Sequence, residues 1–353
     1  MTSKPLHAIR ERIEATEAQH LAPQAQLAIR TRGRQKPDEE CPVRTCYQKD
    51  RDRILHSTAF RNLKFKTNVF LSTSGEKFRT RLTHVLEVSQ LGRTICRALG
   101  LNEDLAEATA LGHDLGHTPF GHVGEHVLHR LTGGKFYHSQ QSLRVVDYLE
   151  KNGKGLNLTH EVRDGILKHA KGSKTMRNFD GTGAFGKPVT LEGQVIQYAD
   201  WLAYVNHDVD DAVAMGVVKI NDFPQDALRL LGLRHSERVG SMVRAVIEAS
   251  RDLKQVRLSP AVLEATEAVR DYLYKKVYTR PEIADVLKQS EIVVAALYEH
   301  YWKNFDEILR EWPWIEPEGK EKAVADFVAW QSDYACLERY EKIRGKGPVT
   351  SHG

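Results

Sequence analysis

Cysteine is scarce in this sequence of 353 residues, and the few cysteines are not arranged for disulfides or for thiolate metal binding. They are scattered and include no CxxC pair: Cys41, Cys46, Cys96 and Cys336. Cys41 and Cys46 could supply half of a metal site, but no second pair follows, and two free thiols are the simpler interpretation. We therefore expect a protein of a reducing compartment.

Long apolar runs are also missing from the sequence. The apolar stretches are too short and too often interrupted by charge to cross a bilayer. The first residues are polar and charged, without the apolar segment of a secretory signal. We therefore expect a soluble, cytoplasmic protein with no membrane partner.

The sequence has no strong excess of one charge. Its 51 lysines and arginines against 47 acidic residues give a net charge of +4, which is too small for strong steering of nucleic acid. The hydrophobic fraction of 41% is that of a globular protein.

Strand-like alternation of apolar and polar residues is not seen, whereas helical spacing recurs through most of the chain. The sequence therefore predicts an all-α fold. Apolar spacing predicts a helix across residues 54–63, and glycine content predicts a mobile loop at 171–190. We divide the chain into an N-terminal arm (1–46), a catalytic core (47–220), a C-terminal helical extension (221–345) and a flexible tail (346–353).

Histidine, by contrast, is abundant: there are 16, and three fall within residues 111–125 (LGHDLGHTPFGHVGE). We predict a helix that begins after Asn102 as its N-cap, reaches His117 and breaks before Pro119, because proline disfavours helix in the preceding residue. His113 and His117 would then lie one turn apart on one face.

Two further predicted helices carry groups that suit a metal ion. His84 lies beside the apolar face of its helix, and Asp200 lies among apolar residues of a later, long helix. With His113 and Asp114 they form a mixed nitrogen and oxygen set suited to Mn, Fe, Zn or Mg. Arg81, one turn before His84, would lie where phosphate oxygens approach the ion.

The end of the histidine-rich stretch has the spacing of a catalytic pair. His122 and Glu125 are spaced i, i+3, so the carboxylate would orient the imidazole and raise its basicity if this segment is helical. We interpret them as a base and its orienting group. His117 and His138 are further imidazoles outside the metal set.

The long helix carries a polar stripe, since Asp200, Tyr204 and Asp208 recur at every fourth residue. A solvated polar face is the alternative to a binding surface. The alternative to a metal site as a whole is a histidine-rich structural core, which would have to explain why so many ionisable groups converge.

Five stretches of the chain carry a resemblance to a known family: DRDRILHS at 50–57, RTRLTH at 79–84, the histidine-rich 111–125, HSQQSLRVV at 138–146 and YVNHD at 204–208. Together they resemble the HD-domain superfamily and, within it, the deoxyguanosine triphosphate triphosphohydrolase (dGTPase-like) proteins. The likeness is close from about residue 50 to residue 212.

The resemblance implies an all-α HD-domain fold with a C-terminal helical extension. It implies a divalent metal (Mn, Mg or Fe, with Zn or Ni as alternatives) and hydrolysis of dGTP or several dNTPs to the deoxynucleoside and intact triphosphate. It also implies a homo-oligomer, a hexamer or another multimer, and a dNTP as allosteric activator.

By motif position, the resemblance implies a role for each site residue. The implied metal ligands are His84, His113, Asp114 and Asp200. The implied catalytic residues are His122 and Glu125, with His117 and His138 near the phosphates. The implied substrate contacts are Arg81 at the phosphates and Asn68, Tyr204 and Asp208 at the sugar. Asn68 stands where the family commonly has glutamine, and Trp201 where it often has a charged residue.

Two other functions remain open at this point. One is an HD phosphohydrolase that acts on a nucleoside monophosphate, a cyclic nucleotide or an alarmone. The other is a regulator that binds a nucleotide or single-stranded nucleic acid through basic residues such as those at 30–36, without catalysis. The complete ligand set and the His122–Glu125 pair favour an enzyme.

Overall fold

The computed structural model describes residues 7–67, 79–171, 179, 181–315 and 319–345. The predicted sugar contact Asn68 and the predicted tail lie outside these residues, as does part of the loop predicted at 171–190.

All regular structure in these ranges is helical, and no strand forms within them, which confirms the all-α prediction. None of the described helices has the length and apolar character needed to span a membrane. Short 3₁₀ turns at Ala28–Arg30, Leu63–Phe65 and Ile220–Asp222 and π-turns at Val145–Leu149 and Tyr274–Tyr278 supplement the α-helices. The α-helices are α1 (His7–His20), α2 (Cys46–Leu55), α3 (Thr58–Asn62), α4 (Arg81–Leu99), α5 (Glu103–Gly112), α6 (His122–Leu131), α7 (His138–Arg144), α8 (Glu150–Gly153), α9 (His160–Lys168), α10 (Leu191–Ala214), α11 (Gln225–Leu231), α12 (His235–Ala249), α13 (Pro260–Leu273), α14 (Pro281–Lys303), α15 (Phe305–Glu311), α16 (Lys320–Trp330) and α17 (Asp333–Ile343).

Two helices that carry candidate site residues begin at capping side chains. The Asn102 side chain accepts hydrogen bonds from the N–H groups of Asp104 (3.1 Å) and Leu105 (3.3 Å), as predicted for the start of α5. The Thr190 hydroxyl accepts from the Gly193 N–H (3.0 Å) at the start of α10. Each cap satisfies N–H groups that have no partner within the helix.

Three buried hydrophobic clusters hold the helices together. α4 and α10 pack with α11, α12 and α13 through residues such as Ile95 and Val195. α2, α5 and α9 share a second cluster that includes Leu105 and Ile166, and α6 packs with α14, α16 and α17 around Val127. The candidate site residues come from α4, the turn after α5, α6, α7 and α10, so they lie where helices of different clusters meet.

α5 ends at Gly112 rather than at His117, so the predicted helix is one turn too long. The next residues form a tight turn, in which the His117 N–H donates to the Asp114 carbonyl (3.0 Å). The physical reason is the close approach of Gly116 to the backbone of α7. His113 and His117 therefore do not share a helical face, and this part of the prediction is wrong.

The helix predicted across residues 54–63 is two helices, α2 and α3. They meet at Ser57, whose backbone is extended (φ −73°, ψ 156°). The Ser57 hydroxyl accepts a hydrogen bond from the Phe60 N–H (3.1 Å) and so caps α3. Serine competes with the helical backbone in this way, which apolar spacing alone does not reveal.

The C-terminal helices are tied to the backbone of the histidine-rich stretch. The buried Lys66 ammonium donates to the carbonyls of His117 (2.7 Å) and Ala329 (2.8 Å). The Asp333 carboxylate accepts from the N–H groups of Thr67 (2.8 Å) and Phe120 (2.8 Å). The ends of α16 and α17 therefore hold the loop between His117 and Phe120 in place.

Gly116→Ala is expected to destabilise the protein. A Cβ atom there would lie 2.1 Å from the Ser142 nitrogen and 2.2 Å from the Gln141 carbonyl carbon, and such overpacking costs about 1–3 kcal/mol. Gly240→Ala is the control, because its Cβ would meet only the Arg244 guanidinium at 3.4 Å. Urea unfolding should show a lower midpoint for Gly116→Ala and no loss for Gly240→Ala. An unchanged midpoint for Gly116→Ala would contradict the packing argument.

Candidate metal centre and catalytic pocket

Four side chains from three parts of the chain converge as the sequence predicted: His84 from α4, His113 and Asp114 from the turn after α5, and Asp200 from α10. Asp200 Oδ1 lies 3.0 Å from His84 Nε2 and 3.8 Å from His113 Nε2. Asp114 lies 3.9 Å from His84 Nε2 and 3.7 Å from His113 Nε2. Two ligands about 2.1 Å from one ion are about 3.0 Å apart at a right angle and about 4.2 Å apart when opposite. The four side chains therefore have the spacing of a metal-ligand set.

The ring of His113 is fixed in the orientation that a ligand needs. Its Nδ1 donates to the Ala110 carbonyl (2.6 Å), so Nε2 is the nitrogen that faces the cluster and could bind an ion. His113 Nε2 is buried and has no hydrogen-bond partner among the described residues. A buried, unpartnered nitrogen is costly in an apolar setting, and a cation would relieve this cost.

Asp114 is a buried anion surrounded by positive and polarisable groups. Arg81 Nη1 donates to Asp114 Oδ2 at 2.5 Å, and both side chains are almost fully buried. Burial alone would raise the pKa of Asp114, but His113 and Arg81 outweigh it and hold that pKa well below its usual range. The carboxylate is therefore ionised, and the predicted place of Arg81 beside the cluster agrees with the geometry.

His169 belongs to this cluster, although no motif in the sequence predicts it. It follows α9, where its Nδ1 donates to the Ile166 carbonyl (2.7 Å), and its Nε2 lies 4.0 Å from Asp114 Oδ1. Burial lowers the pKa of His169 to about 3, so the ring is neutral. A single histidine at a helix end has no spacing partner in sequence. The one feature of the sequence that could have indicated His169 as a site residue is its position just before the glycine-rich segment.

Glu125 bridges two histidines beside this first cluster. α6 begins at His122, so the predicted i, i+3 contact forms, with His122 Nδ1 3.0 Å from Glu125 Oε2. The other carboxylate oxygen lies 2.7 Å from His138 Nδ1. The His117 ring stacks on His138, with centroids 4.9 Å apart. The four side chains predicted to be catalytic are therefore neighbours.

His138 lies between a carboxylate and a neutral imidazole. Its Nδ1 faces Glu125, and its Nε2 is 3.1 Å from His169 Nε2. Because His169 offers only a lone pair there, His138 donates from both nitrogens and carries a positive charge. Burial would lower the pKa of His138, but the Glu125 carboxylate outweighs burial and raises it.

His117 differs from His138 in its charge. Both of its ring nitrogens are buried and have no hydrogen-bond partner among the described residues. Burial, followed by the nearby Arg81 guanidinium, holds the pKa of His117 well below its usual range. The ring is therefore neutral and offers one N–H donor and one lone pair to a ligand.

Members of both clusters line one cavity of about 560 Å³, which is within the usual range for small-molecule sites. Three lysine and arginine side chains line it: Arg81, Lys171 and Arg270. The last two lie in no recognisable motif, so residue spacing does not predict them. Trp201 also lines the cavity beside Asp200, so an indole stands where the family often has charge.

The polar residues of the predicted stripe on α10 do not all face this cavity. Tyr204 lines it, whereas Asp208 is fully buried behind the wall and does not. The Tyr278 hydroxyl donates to Asp208 Oδ2 and lies 3.4 Å from the Tyr204 hydroxyl. Burial raises the pKa of Asp208 to about 8. The expected direct exposure of Asp208 toward the pocket is therefore not observed.

The helical fold with its His, His-Asp and Asp cluster defines a class of protein, the HD-domain phosphohydrolases. A model of the HD domain matches residues 81–205, and a model of the phosphohydrolase-associated domain matches residues 256–342. HD domains are metal-dependent hydrolases, and the buried histidines and aspartates here could hold a metal ion.

Within this class, the chain belongs to the deoxyguanosinetriphosphate triphosphohydrolase-like family. It is 48% identical over 336 residues to the protein of that name from Caldanaerobacter subterraneus subsp. tengcongensis, with 95% of each chain covered. It is 44% identical over 345 residues to the one from Desulfatibacillum aliphaticivorans, with 95% of this chain and 97% of the other covered. A solved structure of a hypothetical protein from Aquifex aeolicus gives a TM-score of 0.42 at 19% identity over 83% of this chain and 71% of the other, which adds nothing to the argument.

In the metal-free protein, the His138 ring is expected to titrate above the ordinary value of about 6.5, because Glu125 stabilises its charged form. Glu125→Gln removes that charge and leaves the burial, so the midpoint should fall below the ordinary value. NMR of the ring resonances measures both midpoints. Glu321→Gln, which alters a surface pair with Lys135, should leave the His138 midpoint unchanged. A midpoint insensitive to Glu125→Gln would contradict the assigned charge.

Proposed function

We propose that this protein hydrolyses a deoxynucleoside triphosphate, dGTP or several dNTPs, to the deoxynucleoside and inorganic triphosphate. The observation that carries the proposal is that the metal-type cluster and the Glu125-centred histidine group line one cavity together with three cations. The names of the relatives agree with this activity. The same family membership leads us to propose a cytoplasmic homo-oligomer that a dNTP activates.

His84, His113, Asp114 and Asp200 would hold the divalent ion, Mn, Mg or Fe. The nitrogen and carboxylate donors suit such ions, and the orphaned His113 Nε2 points to a missing positive partner. When bound, the ion supplies electrophilic stabilisation of phosphoryl oxygens and lowers the pKa of a water ligand.

The cationic and neutral donors around the cavity would bind the phosphate chain. The Arg81 guanidinium is held by Asp114 at one edge, and Lys171 and Arg270 supply charge from the loop after α9 and from α13. Charge-assisted bonds to phosphate are among the stronger polar contacts in proteins. The neutral ring of His117 would add an N–H donor among these cations.

His122 has the geometry of a proton-transfer group. Glu125 holds its Nδ1, while its side chain is 59% exposed and leaves Nε2 open to the cavity. His138 is less suited, because His169 and Glu125 occupy both of its nitrogens. We assign His122 to proton transfer at the reacting phosphate. Glu125 is assigned to orienting His122 and His138.

In the proposed reaction, a water oxygen bonds to the α-phosphorus and the bond from that phosphorus to the 5′-oxygen breaks. The water loses a proton and the 5′-oxygen gains one, so the products are the deoxynucleoside and triphosphate. Arg81 would stabilise the charge that develops on the phosphoryl oxygens. His122 would carry one of the two proton transfers.

The wall formed by Tyr204, Tyr278 and Asp208 would receive the sugar. Only Tyr204 of the three lines the cavity, and the Tyr278 hydroxyl connects it with the buried Asp208 carboxyl. Asp208 would therefore act by positioning Tyr278 and Tyr204, or directly after a local rearrangement of the wall.

Product analysis tests the proposed reaction. Incubation of the protein with each dNTP and Mn in ¹⁸O-labelled water should yield deoxynucleoside and triphosphate, with the label in the triphosphate because attack is at phosphorus. Ion chromatography and mass spectrometry measure both products. Release of orthophosphate or pyrophosphate would point to another phosphohydrolase. Binding without turnover would point to a regulator.

His122→Asn should lower kcat by about 10²–10⁴-fold, the usual contribution of a general acid or base. The bound metal and the fold should stay intact, since His122 is exposed and outside the metal-type cluster. His20→Asn, at the exposed end of α1 and away from the cavity, is the control and should keep most of its turnover. Steady-state kinetics with metal analysis distinguish the two. Equal kcat for His122→Asn and the parent protein would refute the assignment.

A further inference from the structure

We propose that two histidines of α6 that lie in no motif, His126 and His129, bind the terminal phosphate of the nucleotide's phosphate chain. The inference rests on the proposed function and extends it, because it names residues that would recognise the length of that chain. The histidine-rich stretch that resembles the family ends at Glu125, so neither ring has a role by motif position. Both side chains nevertheless line the catalytic cavity.

The histidines of α6 form one row along the cavity wall. His122, His126 and His129 are spaced i, i+4 and i+7, which places them on one face of the helix. The opposite face packs into the core through Val127 and Leu128. One helical turn advances about 5.4 Å, so the row continues the wall by about two turns beyond His122. An extended ligand held at His122 can therefore also contact the next two rings.

The acidic residues of the cavity leave this row to other ligands. Three carboxylates line the cavity, and two of them, Asp114 and Asp200, belong to the metal-type cluster. Each oxygen of the third, Glu125, already contacts another imidazole. Within the described part of the chain, no carboxylate pairs with His126 or His129. An anion at this row would therefore meet imidazole donors without a competing acid.

His129 is held in place by the loop between α6 and α7. Its Nδ1 donates to the Phe136 carbonyl (2.9 Å), and the Tyr137 ring packs edge-on against it with centroids 4.9 Å apart. Tyr137 in turn packs edge-on against Phe185, at 5.5 Å. Because Nδ1 is engaged, Nε2 is the atom left for a ligand, and it donates to a phosphate oxygen only when the ring is protonated. His129 would therefore bind phosphate as an imidazolium.

His126 is exposed at the cavity wall and has no hydrogen-bond partner among the described residues. Its ring donates through one nitrogen when neutral and through both when charged. Hydrogen bonds from charged donors to phosphate are roughly twice as strong as neutral ones. The pair would thus supply a fixed donor at His129 and an adjustable one at His126.

The position of the row indicates which phosphate it would receive. In the proposed reaction the α-phosphate lies at His122, and the sugar lies against Tyr204 on α10, which is a different wall of the cavity. The rest of the chain then extends away from the sugar along α6. The γ-phosphate would reach His126 and His129, whereas a chain of two phosphates would end before them.

Binding of inorganic triphosphate and pyrophosphate tests the proposal without using turnover. The full-length protein, loaded with Mn²⁺ and freed of unbound ion, is titrated with each anion in a calorimeter, and elemental analysis allows comparison at equal ion content. The parent protein should bind triphosphate more tightly than pyrophosphate. Replacing both rings, His126→Asn with His129→Asn, should lower the triphosphate affinity about tenfold or more, the usual contribution of a hydrogen bond to a charged group. The pyrophosphate affinity should stay unchanged.

Arg130→Gln is the matched control, since Arg130 is an exposed cation of the same helix that does not line the cavity. It removes a full charge from α6, yet it should leave both affinities unchanged. Circular dichroism checks the fold of each variant. If the double variant unfolds, because His129 supports the loop after α6, the single variant His126→Asn replaces it and should lose part of the triphosphate affinity.

An unchanged triphosphate affinity in the folded histidine variant would overturn the proposal, and so would an equal loss for both anions. A loss confined to triphosphate and absent from Arg130→Gln would support it. These results stay separate from the proposed function. A chain that binds triphosphate through the two rings and hydrolyses no dNTP would refute only the reaction, whereas dNTP turnover with unaltered triphosphate binding in the variant would refute only this phosphate site.

Discussion

The buried Asp114 carboxylate is the constraint on which the rest of the site depends. An isolated anion in the interior would cost many kcal/mol, so its surroundings must supply positive charge or hydrogen bonds. Arg81 from α4 provides a close ion pair, and His84, His113 and His169 approach from three helical segments. Three segments, α4, the turn after α5 and the end of α9, therefore meet at one charge, and a cation fits there better than any further side chain. Removing one partner would leave an uncompensated buried charge, which is why this centre holds the core together as well as preparing it for chemistry.

The orientation of the Asp114 side chain depends on the turn after α5. The conformation of that turn depends in part on contacts with distant parts of the chain. α5 stops at Gly112, and Gly116 packs against the backbone of α7 where a Cβ atom would not fit. The loop that follows is held by Lys66 and Asp333, which join it to α16 and α17. Burial lowers the pKa of Lys66 to about 8, so this support includes an ammonium group that loses its proton more readily than an exposed lysine does. The C-terminal helices therefore contribute to the site twice, through this support and through Arg270 on the cavity wall.

The histidines of the cavity are chemically different from one another because their neighbours differ. His138 lies against Glu125 and carries charge. Burial lowers the pKa values of His117 and His169, so their rings stay neutral, and His122 keeps one nitrogen open. Because the histidines differ in charge, side chains in one cavity could hold a cation, bind phosphate and transfer a proton. It also explains how an indole can be accommodated at Trp201, since Arg81, Lys171 and Arg270 already provide charge around the same cavity.

The sequence by itself determined the all-helical fold, the cap at Asn102, the convergence of His84, His113, Asp114 and Asp200, and the contact of His122 with Glu125. These follow from local spacing and from motif patterns, which the chain carries whatever its neighbours are. Only the tertiary structure decided where α5 ends, that α2 and α3 are separate, that Asp208 lies behind Tyr204, and that His169, Lys171 and Arg270 reach the cavity. Each of these depends on contacts between residues far apart in the chain. Backbone packing at Gly116 overrode helical periodicity, and burial rather than spacing determined which ionisable groups face one another.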